Sequence, residues 1–88
     1  MHFDKFIKMV ERSKPDRIKA MISVHVRVAT KESPKSQDAI CVLRFSNFLA
    51  SGICPSDASQ NETDFYKRTA ERMVEANLLE QDVLDQFP

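Results

Sequence analysis

Hydrophobic and charged residues at the start of the chain follow a helical period. The hydrophobic members recur every three or four positions, at Phe3, Phe6, Ile7 and Val10. Charged residues occupy most of the positions between them, so the pattern predicts an amphipathic helix over residues 3–12. Ser13 then suits the N-cap of a second helix, and Pro15 is tolerated in a helical first turn.

The segment that follows carries two overlapping hydrophobic patterns. A helical stripe runs through Ile18, Met21, Ile22, His25, Val26 and Ala29. An alternating stripe, typical of a half-buried strand, runs through Ile22, Val24, Val26 and Val28. The density of β-branched residues favours the strand, so the segment by itself does not decide between helix and strand.

The next hydrophobic segment favours the helix. Ser33 can cap a helix that has Pro34 in its first turn, and Gly52 stands where a left-handed residue commonly ends one. Hydrophobic residues cover nearly all sides of residues 34–51, which is typical of a central, buried helix. A strand in the preceding segment would then have no strand to pair with, and an isolated strand is unstable. We therefore predict a helix over residues 15–30.

An α+β fold is the alternative. In that fold, residues 20–30 pair with residues 39–46 as a hairpin, which is joined by the polar loop TKESPKSQ and flanked by helices. The glycine content argues against it, because the 88 residues include one Gly and the tight turns of sheet proteins commonly use glycine. The scarcity of glycine favours long helices with few turns.

The second half of the chain contains the clearest loop and one more helix. A cluster of small polar residues indicates an internal loop over residues 53–61. Ser59 and Glu62 match a capping box that opens a helix over residues 60–79. Whether residues 80–88 extend this helix or form a mobile C-terminal segment stays open.

These elements together predict one all-α domain over residues 1–88, a small four-helix bundle-like fold. With 42% hydrophobic and 30% charged residues, the composition is ordinary for a folded domain. No stretch approaches the roughly 18 apolar residues of a membrane span, and no N-terminal apolar run resembles a signal peptide. We therefore expect a cytoplasmic protein without membrane contact, in which Cys41 and Cys54 are reduced thiols.

The charge is divided unevenly between the two halves of the chain. Residues 1–44 hold ten Lys/Arg and five Asp/Glu, a net charge of +5, and residues 45–88 hold three and eight, a net charge of −5. Such a dipolar chain can pack one half against the other or associate head to tail with further copies. Either arrangement is favoured over a dedicated polyanion binder, which usually carries a net positive charge.

The sequence shows no catalytic, cofactor-binding or metal-binding signature, and it indicates no small-molecule substrate. Cys41, Cys54, His2 and His25 lack the close paired spacing of structural zinc sites. His25 belongs to the hydrophobic stripe of its predicted helix, and the sequence identifies no orienting carboxylate or nucleophile for it. We therefore expect no enzyme activity and no cofactor.

Basic residues are the remaining candidates for contacts. Five of them could contact nucleic acid or a protein partner: Arg12, Arg17, Lys19, Arg27 and Lys31. We favour instead a solvated surface that faces the acidic last helix. The predicted function is a non-catalytic protein-interaction or regulatory module that forms a homodimer. The reason is that a small domain leaves part of its most hydrophobic helix uncovered, which creates a contact surface. The alternative is a small nucleic-acid-binding regulator that uses the basic first half.

Overall fold

Four α-helices account for most of the chain. The computed structural model describes residues 3–32 and 35–87, apart from the side chains of Phe3, Glu32 and Asp38. The helices are α1 (Phe3–Arg12), α2 (Pro15–Glu32), α3 (Gln37–Ser51) and α4 (Gln60–Glu75), and a C-terminal 3₁₀ helix, Gln81–Gln86, follows them. No strand occurs among the described residues. The predicted all-α fold is confirmed, and the alternative with a hairpin of residues 20–30 and 39–46 is wrong.

The burial pattern shows why α2 is a helix despite its β-branched residues. Ile22 is buried against the core, whereas Val24 and Val28 are 56% and 45% exposed. A strand would direct all three side chains to the same face, and a helix separates them. α2 packs most extensively against α3, so the burial of one helical side outweighs the weak strand preference of these residues.

The core lies between the four helices and contains many aromatic rings. Phe45 packs against Phe65 with ring centroids 4.7 Å apart and against Phe6 at 5.7 Å. Phe48 stacks on Tyr66 at 4.9 Å. Such pairs contribute about 0.5–1.5 kcal/mol beyond the burial of their area. The core is completed by Val10, Ile18, Ile22, Ala39, Val42, Leu49, Thr69, Ala70, Met73 and Phe87.

The start of α3 differs from the prediction. The predicted cap Ser33 and the first-turn Pro34 lie outside the described residues, and the helix begins at Gln37 with Ser36 as its N-cap. The Ser36 hydroxyl accepts a hydrogen bond from the N–H of Ala39 at 3.1 Å. Both serines have the same capping chemistry, so the sequence alone does not choose between two starts three residues apart.

Ser13 does not cap α2 as predicted, although Pro15 does begin that helix. The Ser13 hydroxyl donates to the Met9 carbonyl at 2.8 Å, in the last turn of α1. The guanidinium group of Arg72 donates to the carbonyls of Val10, at 3.1 Å, and of Ser13. The Val10 carbonyl also accepts from the N–H of Ser13 at 3.1 Å. The two bonds from Arg72 join the C-terminal end of α1 to α4.

Gly52 ends α3 as predicted and also anchors the C-terminus. With φ of 72° it donates from its N–H to the Phe48 carbonyl at 2.7 Å. The Gln86 amide donates to the Gly52 carbonyl and accepts from the N–H of Cys54, each at 2.7 Å. These bonds, together with the buried ring of Phe87, hold the 3₁₀ helix against the end of α3.

The last helix is shorter than predicted. α4 ends at Glu75 instead of near residue 79. Asn77 takes a left-handed conformation with φ of 61°, and the N–H of Leu78 bonds back to the Met73 carbonyl at 2.8 Å. This is the Schellman ending, in which asparagine is the commonest substitute for glycine.

Candidate interaction surfaces

A stripe of uncharged residues runs along the outer side of α3, bordered by the half-buried Arg44. Four residues spaced three, four and three positions apart share this side and form what we call the α3 stripe: Ile40, Leu43, Asn47 and Ala50. Ile40 is 41% exposed, Asn47 and Ala50 are exposed, and Leu43 is half-buried. An exposed uncharged stripe on a chain with 30% charged residues is a candidate contact surface.

The opposite side of α3 packs into the core through Val42, Phe45 and Phe48. The expectation that a small domain leaves part of its most hydrophobic helix uncovered is therefore confirmed for α3. The physical reason is size, because a domain of 88 residues has too few elements to surround one helix completely.

The outer side of α2 combines basic and hydrophobic residues. We call it the α2 face; it consists of Arg17, Ala20, Val24, Arg27, Val28 and Lys31, all of them exposed. Its three basic side chains form no ion pair within the described part of the chain. From Arg17 to Lys31 the face is about 21 Å long, at 1.5 Å per residue. Three unpaired positive charges therefore accompany two exposed valines.

The five basic residues predicted as contacts are all exposed, but they do not share one surface. Three of them belong to the α2 face. Arg12 lies on α1, where it lines a shallow cavity of about 400 Å³ with Lys5 and Lys8. Lys19 lies about 200° around α2 from Arg17 and lines two grooves of about 300 Å³ each that reach the end of α3. The structure thus divides the predicted set among three places.

These five residues do not pair with the acidic groups of α4. The ion pair that joins α1 to α4 has the opposite polarity, with Arg68 Nη2 3.6 Å from Glu11 Oε1. Exposed pairs of this kind contribute about 0–1 kcal/mol. No ion pair among the described residues therefore supports the expectation that the basic surface faces the acidic last helix.

The acidic counterpart lies where α4 ends and the 3₁₀ helix follows. Four exposed carboxylates form what we call the acidic end: Glu75, Glu80, Asp82 and Asp85. None of them pairs with a Lys or Arg side chain among the described residues. Half-buried leucines lie between them in sequence, at Leu78, Leu79 and Leu84. This region thus mixes negative charge with apolar surface.

Arg44 differs from the five predicted contact residues because it is paired. Its Nη2 lies 3.1 Å from Asp57 Oδ1, and its Nε lies 3.2 Å from Glu62 Oε2. The Tyr66 hydroxyl donates to the same Glu62 oxygen at 3.3 Å. These bonds fasten the loop between α3 and α4 to both helices.

The titration of this cluster follows from its contacts. The hydrogen bond with Asp57, followed by the bond to Glu62, raises the pKa of Arg44 despite an opposing effect of burial. The same Arg44 hydrogen bond lowers the pKa of Asp57. Burial, followed by the charge of Glu62, raises the pKa of Tyr66. The cluster is therefore ionised at Arg44 and neutral at Tyr66 at pH 7.

Sequence reasoning missed this cluster. The Ser59 hydroxyl accepts from the N–H of Glu62 at 3.2 Å, as the predicted capping box requires. The Glu62 carboxylate, however, contacts Arg44, which lies 18 positions earlier in the chain. No local motif signals a pair at that separation.

In the described part of the chain, His25 and Cys54 do not form a recognisable catalytic or metal-binding site. The His25 ring lies edge-on to Phe6 at 6.4 Å. Burial raises the pKa of the half-buried Cys54 thiol, which disfavours the reactive thiolate. In residues 3–32 and 35–87, no three His, Cys, Asp or Glu side chains are grouped so as to hold a metal ion.

None of the described helices combines the length and hydropathy needed to cross a bilayer.

Function is therefore inferred from the three surfaces, the α3 stripe, the α2 face and the acidic end. Each is defined by residues that share one side or one end of the bundle. Comparison with known protein families, with curated proteins and with solved structures finds no match to this chain.

Proposed function

We propose that this protein is a non-catalytic protein-interaction module that forms a symmetric homodimer through the α3 stripe, in the reducing cytoplasm. The observation that carries the proposal is the exposed, uncharged stripe on α3. Ile40 is 41% exposed there, and none of the four side chains of the stripe is charged. Hydrophobic surface is thus exposed where charged side chains would be expected.

The spacing of the stripe suits helix-to-helix packing. Ile40, Leu43, Asn47 and Ala50 occupy successive a, d, a and d positions of two heptads. A seam with this spacing packs against a second helix by inserting side chains between those of the partner. Asn47 at an a position favours one register over others, and the small Ala50 permits close approach of the two helices.

A second copy of the chain is the occupant that this stripe fits best. In a symmetric dimer the same surface contacts itself, so any charge on it would oppose an identical charge. The α2 face would bring Arg17, Arg27 and Lys31 against their own copies, and the α3 stripe avoids this repulsion. Because the stripe consists of four side chains, of which Leu43 is half-buried, we expect a weak dimer with micromolar affinity.

Sedimentation equilibrium tests the proposal. We expect the wild-type protein to reach about 20 kDa at high micromolar concentration, twice the 10.1 kDa of one chain. The double variant I40K/A50K places like charges across the seam and should weaken the dimer at least about tenfold, or about 1.4 kcal/mol. Ile53→Lys is the matched control, because Ile53 is 69% exposed but lies in the loop after α3.

Two outcomes would contradict the symmetric dimer. One is a wild-type mass of 10.1 kDa throughout the concentration range. The other is an equal loss of association in I40K/A50K and Ile53→Lys, which would indicate a contact elsewhere. Circular dichroism of each variant verifies that the helices remain folded.

Nucleic-acid binding is the second candidate function. The observation that favours it is the exposure of all five predicted basic residues without ion pairs. Their division among three places weakens it, because phosphate contacts along one backbone need a continuous surface. Absence of binding to duplex DNA and RNA at low salt would remove this candidate. Binding that persists after replacement of Arg17, Lys19 and Arg27 would assign it to other residues.

A further inference from the structure

We propose a second contact between copies of this chain, in which the α2 face of one molecule binds the acidic end of another, head to tail. It uses surfaces different from the α3 stripe and does not rest on the symmetric dimer.

Unpaired charge of opposite sign lies on two separate surfaces of the molecule. The chain is neutral overall but divided into halves of +5 and −5, and such halves can be neutralised within one molecule or between molecules. The basic residues of the α2 face and the carboxylates of the acidic end form no ion pairs within the described residues. Neutralisation inside the molecule is therefore incomplete, and both surfaces remain available to a second molecule.

The α2 face and the acidic end are complementary in composition. Each combines charge of one sign with apolar side chains. The α2 face presents Val24 and Val28 between its cations, at 56% and 45% exposure. The acidic end presents the half-buried Leu78, Leu79 and Leu84 among its carboxylates. Opposite charges around apolar contacts provide both steering and adhesion.

The symmetry of this contact determines how far association extends. A contact between two different surfaces leaves one unused copy of each surface at the ends of every pair. Association therefore continues into open chains unless the geometry closes a ring. Because the contact is mainly between exposed charges, its strength should fall steeply as salt screens them.

The α2 face favours a protein partner over nucleic acid or a lipid surface. Val24 and Val28 are exposed on this face, and their side chains offer no hydrogen-bond donor or charge to a phosphate. The face also lacks the Trp, Phe or Leu residues that anchor interfacial helices in lipid. The complementary surface, in contrast, is present on the chain itself.

A charge-reversal experiment tests the head-to-tail contact. The variant R17E/R27E/K31E makes the α2 face acidic, and the variant E75K/D82K/D85K makes the acidic end basic. We expect light scattering of the wild-type protein to show species larger than a dimer at about 20 mM salt and to lose them at about 0.5 M salt. Each reversed variant alone should lack these species, because its two surfaces then have the same sign. An equimolar mixture of the two variants should restore them.

Controls separate this contact from the α3 dimer. The variant K5E/K8E/R12E makes the same change of charge on α1, where all three residues are exposed, and should leave the large species unchanged. The variant I40K/A50K should still form salt-sensitive chains while losing the species that survives high salt. Absence of wild-type species larger than a dimer at low salt would overturn the proposal. So would a mixture of the reversed variants no heavier than its components.

Discussion

The two sides of α3 have similar hydrophobic character but different surroundings. On the inner side, Phe45 is completely buried and contacts rings from α1 and α4. On the outer side, Ile40 and Ala50 meet solvent. The difference shows that a hydrophobic side chain favours burial but is buried only where another helix packs against it. The number of neighbouring helices therefore decides which side of α3 is covered within one molecule. The uncovered side remains available to a second molecule.

Replacing Phe45 with Ala should produce the largest effect and gives the clearest contrast with the outer side. Removal of a buried aromatic ring loses its burial and leaves a cavity, and it typically costs about 3–5 kcal/mol of stability. Ile40→Ala should change the stability of the monomer by less than about 0.5 kcal/mol while weakening the dimer. Urea denaturation at a protein concentration below the dimer range measures the monomer stability of both variants. Similar losses for the two variants would show that the two sides do not differ as described.

A smaller effect is expected at the end of α3, where Gly52 separates the helix from the loop. A Cβ at this position would lie 3.1 Å from Val83 Cγ2, and the residue has φ of 72°. We expect Gly52→Ala to reduce the free energy of unfolding by about 1–2 kcal/mol, because a left-handed backbone strains L-residues. Asn77→Gly is the control at the second left-handed position and should be neutral or slightly stabilising. A neutral Gly52→Ala would show that the loop adjusts without strain.

The smallest effect should come from Asp57, which pairs with Arg44 at the edge of α3. The hydrogen bond with Arg44 lowers the pKa of Asp57 in the folded state. The pair therefore stabilises the fold above the ordinary aspartate pKa of about 4, and this contribution is lost as pH falls through the lowered pKa.

Comparison of wild type with Asp57→Asn measures that contribution. We expect the wild-type protein to be slightly more stable at pH 7, and the difference should decline to nothing at acidic pH below the lowered pKa. Urea denaturation across this pH range provides the measurement. A difference that grows on acidification would contradict the assignment, because it would require a raised pKa.

Helix bounds were predicted correctly where a capping residue or a residue of the first or last turn determines them. Capping and periodicity predicted both bounds of α1 and the start of α2 at Pro15. They also predicted the end of α3 at Gly52 and the cap of α4 at Ser59. The end of α4 was misjudged because Asn77 was not recognised as a left-handed residue, although asparagine is an established substitute for glycine there.

Contacts between distant positions could not be read in the same way. Arg44 and Glu62 meet across 18 positions, and Arg72 reaches the carbonyl of Val10 across 62. Such pairs depend on how helices are placed against one another. The five predicted basic residues were likewise grouped by their nearness in sequence, and the structure separates Lys19 and Arg12 from the rest.

The sequence by itself determined that this chain is helical, where most helices begin and end, and that its charge is split between its halves. Periodicity and capping act over three or four residues, so they are contained in the order of side chains along the chain. The tertiary structure alone decided that α3 is covered on one side, that Arg44 is paired, and that the α2 face and the acidic end are not. Those properties depend on which helices become neighbours, and neighbours are fixed by the burial of the whole core.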